Sequence, residues 1–493
     1  MRLGKLLQIS KLQLQNSLSR HPEKRLQAAW NCAQVGLFLY PWLPNVGIVG
    51  LLLAVALVWK QQYRTIVRRP LNWGLAILSG WLIITCCFAN NPGEAFLGLA
   101  NLLPFFIVFA AYSTLIQHLD QLRQLAKILV VGSLPVLILG FGQLFLGWAG
   151  SEPLQGVTGW VIQANGNPPG RMASVFMYAN ILAAYLQIIL ILGLGLWIER
   201  FQALRQGPNK AQGVRLLFLT VLVLGNAIAL VLTNSRNAWA IAILACLVYA
   251  LYLGWRSLVA GVIAVAGSIL WASFGPEPGR QWLRHIVPAF FWARLTDQLH
   301  PDRPVAQFRT TQWRFTWWMT QERPWMGWGL RNFTPIYEAK MHLWLGHPHN
   351  LLLMLMAETG IPATLFFCGL IGWILAQGVL LMAVWSDATP LEAKHQKHQD
   401  RPHALHPQHR NQNLSSPTPY SLLPTPYFQD RLILFSYLTA FAGCILFNLL
   451  DVTLFDLRVN TINWLLLSAI CGVVYRYQPL LLWKNFQKAA NSN

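Results

Sequence analysis

Charged residues are scarce in this chain, and acidic ones scarcest: Asp and Glu total 17 of 493 residues against 37 Lys and Arg, and the four together make up 11%. With 55% hydrophobic residues and a mean hydropathy of +0.41, so little charge excludes an ordinary soluble globular protein and leaves a polytopic membrane protein. Cysteine is missing from the long polar stretch. Cys32, Cys86, Cys87, Cys246, Cys368, Cys444 and Cys471 all fall in or beside apolar runs, so neither a disulfide framework nor a zinc motif is indicated. No DNA- or RNA-binding motif accompanies the net charge of +20, which therefore reads as cytoplasmic loops facing anionic lipid rather than a nucleic-acid surface. Residues 1–25 are basic and amphipathic but lack the apolar core and small-residue cleavage site of a signal peptide, so the first span is expected to be retained.

What is abundant is apolar sequence in runs of about 17 to 25 residues, enough to cross a bilayer. Such runs start near Leu26, Leu43, Leu71, Phe96, Leu122, Met172, Val214, Arg236, Ser257, Ile361, Leu432 and Val459. The fold class expected is all-α, a membrane protein of about twelve transmembrane helices with a large external loop holding short helices. Basic short loops (Lys60, Arg64, Arg68 and Arg69; Arg123 and Lys127; Arg200, Arg205, Lys210 and Arg215; Arg256) alternate with loops nearly free of Lys and Arg. By the positive-inside rule both termini are cytoplasmic. Four segments then face outward: Gly150 to Arg171, Thr233 to Asn237, Gly275 to Asn350 and Asp451 to Asn460. The expected organisation is nine spans over residues 1–274, an external catalytic loop over 275–348, a loop-exit helix and tenth span over 349–385, a disordered cytoplasmic linker over 386–430, and two spans with a tail over 431–493. The linker carries His395, His398, His403, His406 and His409 and repeats Pro-Thr-Pro-Tyr at Pro417 and Pro424. Its composition is that of a low-complexity spacer rather than a metal trap.

The external stretch from Arg309 to Pro362 is polar, aromatic and rich in arginine, and it runs through His347-Pro-His349-Asn350 into an apolar helix. Two further arginines, Arg171 and Arg236, sit at membrane boundaries, where a cation either snorkels or finds a partner. Together with Arg314 and Arg331, which flank the Gly-Trp-Gly turn, they suggest convergence on an anion, since guanidinium forks match phosphate oxygens and keep their charge. A lipid-linked diphosphate is the anion a membrane enzyme meets in the outer leaflet. His349 is open to three readings: a helix-start residue, a metal ligand with His347, or a base. Two histidines one proline apart, with only His342 nearby, supply too few ligands for a closed metal site. A neutral imidazole can take a proton from a sugar hydroxyl.

At these residues the chain resembles the O-antigen ligase and polymerase superfamily, bacterial polytopic proteins that transfer glycans from undecaprenyl diphosphate. The likeness rests on His349-Asn350 followed by Gly360; on RMASVFMYANILAAYL with Arg171 and Asn180; on SRNAWA around Arg236; and on WRFTWWMTQERPWMGWGLRNF with Arg314, Pro324, Gly327 and Gly329. It spans Arg171 to about Val384. It implies a bacterial inner-membrane glycosyltransferase with a periplasmic loop and neither metal nor cofactor. Its partners would be an undecaprenyl-diphosphate-linked glycan, an acceptor glycan or lipid, and membrane lipids, with no nucleic acid. Arg171, Arg236 and Arg314 would hold the diphosphate and steady its charge as it leaves, with His349, Arg236 and Arg314 as the catalytic set. His349 would deprotonate the acceptor hydroxyl, and Arg171, Asn180, Arg331, Tyr337 and Asn350 would contact substrate. Trp313, Trp317, Trp318, Trp325 and Trp328 are open to two readings, sugar stacking or an interfacial belt. Asp451 and Asp456 read as supporting or acceptor-contact residues or as an interfacial turn, and Glu358 as structural. The same superfamily includes cyanobacterial proteins once proposed to carry bicarbonate, so an inorganic-carbon transporter is the alternative function. A non-catalytic membrane scaffold would leave the outward arginines without a role.

Overall fold

The computed structural model describes residues 19–207, 209–289, 292–293, 296, 305–399 and 428–491, and among the described residues there are helices and no strands. Proline sets several helix starts. After α1 (Gln27–Leu39), α2 (Pro44–Arg68), α3 (Pro70–Cys87), α4 (Pro92–Gly98) and α5 (Leu103–Leu115) each carry Pro in the first turn, where a missing N–H breaks no helical bond. Then follow α6 (Leu119–Phe145), α7 (Glu152–Thr158), α8 (Ala179–Gln206), α9 (Lys210–Leu232), α10 (Arg236–Tyr252) and α11 (Arg256–Phe274). The large loop contributes α12 (Gly279–Ile286), α13 (Arg309–Glu322), α14 (Phe333–Met341) and α15 (Leu351–Thr359), before α16 (Ile361–Gln399), α17 (Phe428–Asn448) and α18 (Leu457–Asn491).

Ten segments among the described residues are long and apolar enough to cross a membrane: α2, α3, α4 with α5, α6, α8, α9, α11, and the apolar parts of α16, α17 and α18. The two other expected spans are shorter. α1 has 13 residues and α10 has 17, or roughly 20 and 26 Å at about 1.5 Å per residue, below the ~30 Å hydrocarbon thickness. The sixth span begins at Ala179, seven residues later than its apolar run, because residues 172–178 are held as an irregular turn. The stretch expected to be a disordered linker is helical to Gln399, continuing α16, and helical again from Phe428. Residues 400–427, with His403, His406, His409 and the Pro-Thr-Pro-Tyr repeat, lie outside the described residues.

Burial separates the centre of the bundle from its rim. In α18 and α8, 89% and 83% of the apolar window is buried, against 17% in both α11 and α16, so the first two form the core and the last two face lipid. Small residues bring backbones together here, as packing in lipid favours. A Cβ on Gly472 of α18 would lie 1.8 Å from the Ile116 carbonyl oxygen at the end of α5, which leaves glycine as the residue that fits. At the same end of the bundle Arg123 of α6 reaches Glu199 of α8 and Asp430 at the start of α17, both at 2.8 Å. The two central helices, α8 and α18, both begin at the opposite end, directly beside the turns described next.

Candidate functional site

The four segments expected to face outward meet around one carboxylate, that of Asp451. The Arg171 turn is fixed from below: Gln143 of α6 accepts from the backbone N–H groups of Ala173 (3.0 Å) and Ser174 (2.7 Å), and Met172 N–H donates to the Leu232 carbonyl at the end of α9 (3.0 Å). Arg171 Nε then donates to the Thr233 carbonyl (2.8 Å) and Nη2 to Asn180 Oδ1 (2.5 Å). Asn180, in the first turn of α8, donates through Nδ2 to Asp451 Oδ2 at 2.8 Å. Asp451 sits in the α17–α18 turn, 5% exposed. Its other oxygen accepts from Val452 N–H at 2.9 Å and faces His349 Nδ1 at 3.3 Å. A continuous chain thus runs from the Thr233 carbonyl through Arg171, Asn180 and Asp451 to His349, linking residues up to 271 positions apart.

Charge follows from this arrangement. Burial alone would raise the Asp451 pKa, but the hydrogen bond and charge of His349, with those of His347 and the Val452 N–H, outweigh it and hold the carboxyl below its ordinary value. An ionised carboxylate only accepts, so His349 Nδ1 carries the proton and Nε2 is left as the basic atom of the ring. His349 adopts a left-handed backbone, φ 52°, which turns its ring back toward Asp451. Burial also pulls the Arg171 pKa below its usual value. Tyr178 and Asp451 oppose that shift, and the charge of Arg236 adds to it, so the two arginines share one neighbourhood.

His347, His349 and Asp451 bring their ligating atoms within 4.8 Å of one another, a spacing a metal ion could use. The hydrogen bonds argue otherwise. His347 Nδ1 accepts the His349 backbone N–H at 3.2 Å, so in the neutral ring Nε2 bears the proton and has no lone pair to offer. Burial pushes the His347 pKa down to about 4, with His349 and Arg309 adding to the effect and Asp451 opposing it. His347 is therefore neutral at physiological pH and serves as the acceptor that shapes the turn.

The large loop builds a platform for this turn. Trp328 N–H and Gly329 N–H donate to the Ala357 and Glu358 carbonyls, and Ile361 N–H donates to the Pro324 carbonyl, all at 2.8–2.9 Å. The Gly-Trp-Gly turn is thereby clasped to the end of α15. Gly327 and Gly360 have φ of 68° and 83°, and a Cβ on either would lie within 2.4 Å of the other segment's backbone, which explains the first glycine of the Gly-Trp-Gly turn and the glycine that follows His349-Asn350. Glu358 is buried beneath, accepting from Phe333 N–H at 3.1 Å, and burial pushes its pKa up to about 7. Its role is structural, as its sequence context suggested.

Other expected site residues are placed differently. Tyr337 is 0% exposed; its hydroxyl donates to the Ala306 carbonyl at 2.6 Å and its ring packs on Phe315 and Phe333. It belongs to the core of the loop, which corrects its assignment to a glycan groove. Arg331 pairs with Glu94 at 3.0 Å, joining the loop to α4 instead of the arginine cluster. Asn350 caps α15, its Oδ1 accepting from Leu353 N–H at 2.9 Å. On α13, Trp313 donates to the Pro348 carbonyl at 3.1 Å, so that face looks toward the histidines. Arg309 lies one turn away, about 40° round the helix, whereas Arg314 is rotated about 100° from Trp313 and is exposed. The loop arginine whose charge His347 feels is Arg309, a residue the motif reading passed over. Trp317 and Trp325 are 46% and 72% exposed, while Trp328 is tied by its Nε1 to the Met319 carbonyl.

Beneath the histidines lies a cavity of about 340 Å³. It is bounded by Leu351, Leu352 and Leu355 of α15, by Phe367 and Ile371 of α16, and by Thr453 and Leu454 next to Asp451. Its walls are almost wholly apolar.

Residues 218–368 match the family model described as O-Antigen ligase. Over these residues the chain is similar to the O-antigen ligase family. The match supports an O-antigen ligase-type membrane glycosyltransferase family and gives no support to the inorganic-carbon alternative. No curated protein matches the chain. The matched segment contains Arg236, Arg309, Arg314 and His349, while Arg171 in the turn before α8, Asn180 on α8 and Asp451 in the α17–α18 turn lie outside it.

Proposed function

We propose that this protein transfers a glycan from undecaprenyl diphosphate to an acceptor hydroxyl, as an O-antigen ligase or polymerase, at the outer face of the bacterial inner membrane. Both termini are then cytoplasmic and the 275–348 loop periplasmic. The observation that carries the reading is the His349–Asp451 pair, which fixes the imidazole tautomer beside a cluster of cations at the head of the two central helices. Arg171 and Arg236 hold the diphosphate, with Arg309 approaching from the loop. The first isoprene units of the polyprenyl tail enter the 340 Å³ apolar cavity below, and the rest of the tail lies in lipid. His349 Nε2 removes the proton of the acceptor hydroxyl, and the oxygen attacks the anomeric carbon. The carbon–oxygen bond to phosphate breaks with inversion, and undecaprenyl diphosphate departs with the electron pair, its charge met by the guanidinium groups. Asp451 positions His349 and balances the imidazolium as it forms. Arg314, pointing away from the histidines, is assigned no part in holding the diphosphate.

The test uses purified protein in proteoliposomes with an undecaprenyl-diphosphate-linked glycan and an acceptor glycolipid. His349→Ala and Arg236→Ala are expected to insert normally and to abolish transfer. Wild-type transfer by both would remove the basis of the assignment.

A further inference from the structure

A second cavity, of about 570 Å³, runs between α10, α16 and α17, from Arg431 near the start of α17 to Leu446 near its end. Its walls are apolar, and Leu244, Val379 and Leu446, at 45%, 58% and 37% exposure, form its open side toward lipid. One cation stands in it. Arg431, in the first turn of α17, lines the cavity, and its Nε is buried with no hydrogen-bond partner. The nearest carboxylate in sequence, Asp430, is taken by Arg123 at 2.8 Å, as is Glu199. A buried guanidinium nitrogen without an acceptor is costly, and the cavity in front of it is the place from which an acceptor can come.

We propose that this groove binds an anionic phospholipid from the leaflet opposite the glycan site, its phosphate on Arg431 and one acyl chain along α17. The lining runs from Arg431 to Leu446, 15 residues or roughly 22 Å of helix, which exceeds the ~15 Å of hydrocarbon in one leaflet. A chain anchored at Arg431 therefore stays in the groove for its whole depth. Basic pockets between transmembrane helices on the cytoplasmic side recognise anionic head groups in this way, and the positive-inside orientation puts Arg431 on that side. The groove shares α16 and α17 with the apolar cavity under His349, so its occupant braces the helices that wall the substrate site.

The full-length protein, purified and exposed to equal amounts of phosphatidylglycerol and phosphatidylcholine, is examined by native mass spectrometry. The wild type is expected to retain phosphatidylglycerol preferentially. Arg431→Ala lowers that preference about fivefold, the effect of one basic residue at the lipid surface, and Arg431→Lys keeps most of it. Leu244→Trp, which leaves the cation in place and fills the groove, reduces retention of the lipid even if Arg431→Ala does not fold. The proposal is overturned by a wild type without preference, by Arg431→Ala or Leu244→Trp retaining the lipid like the wild type, by undecaprenyl phosphate displacing phosphatidylglycerol at equal concentration, or by a second copy of the chain occupying the groove.

Discussion

Asp451→Asn separates the charge of the relay from its shape. Every bond at Asp451 is one it accepts: Oδ1 takes Val452 N–H and faces His349 Nδ1, and Oδ2 takes Asn180 Nδ2. An amide offers one acceptor and one donor. If its oxygen keeps His349, its NH₂ meets the NH₂ of Asn180. Rotating Asn180 to cure that conflict turns its NH₂ toward Arg171 Nη2, which now donates to Asn180 Oδ1. The substitution therefore leaves a donor unpaired somewhere between His349 and Arg171, and it removes the anion that pins the imidazole. A hydrogen bond to a charged group contributes about 1.5–3 kcal/mol, which corresponds to a roughly 10- to 150-fold loss of transfer rate. The assay is single-turnover release of undecaprenyl diphosphate in proteoliposomes, with insertion checked by protease accessibility. Because Asp451 acts through His349, the loss should fall on the chemical step, with donor and acceptor KM unchanged. A wild-type rate in Asp451→Asn, or a loss confined to KM, would refute the relay.

Arg171→Lys keeps a charge but cannot make both the Thr233 and Asn180 bonds, so the KM for the lipid-linked donor should rise at least tenfold while the acceptor KM stays put; an unchanged donor KM excludes Arg171 from the diphosphate site. Glu358 has a folded pKa raised to about 7 from an ordinary 4.5, so its ionisation destabilises the loop increasingly as pH rises from 4.5 to 7 and fully above that. Glu358→Gln, which keeps an acceptor for Phe333 N–H, should raise thermal stability at pH 8, with the gain disappearing below pH 4.5; a pH-independent difference contradicts this. Tyr337→Phe should cost about 1 kcal/mol through loss of the Ala306 bond and leave donor and acceptor KM unchanged, which calorimetry and the same transfer assay check together.

The helical membrane architecture was legible because it is written in composition: long apolar runs act locally. Arg171, Asn180 and His349 stand out in the sequence because each sits where a polar residue interrupts an apolar run, and the structure joins them in one hydrogen-bonded chain. Asp451 was visible only as an acid near a helix end. Nothing within its own segment shows that it meets His349, 102 positions earlier. In the loop, Tyr337, Arg331 and Asn350 have the residue types of a binding surface; the structure has them as a buried ring, an ion pair with Glu94 and a helix cap. The choice between Arg309 and Arg314 depended on helix phase, which Trp313 discloses only once its bond to Pro348 is seen. Met172 belongs to an apolar run but not to a helix, because buried Gln143 captures the N–H groups beside it.

The central claim is that His349, oriented by Asp451, drives glycan transfer from a lipid diphosphate held by arginines. Its most direct test is a turnover measurement with purified protein in proteoliposomes, counting undecaprenyl diphosphate released against acceptor glycosylated. The account predicts equal amounts of both with the wild type and neither with His349→Ala. Release without acceptor glycosylation, or undiminished turnover in His349→Ala, would contradict it.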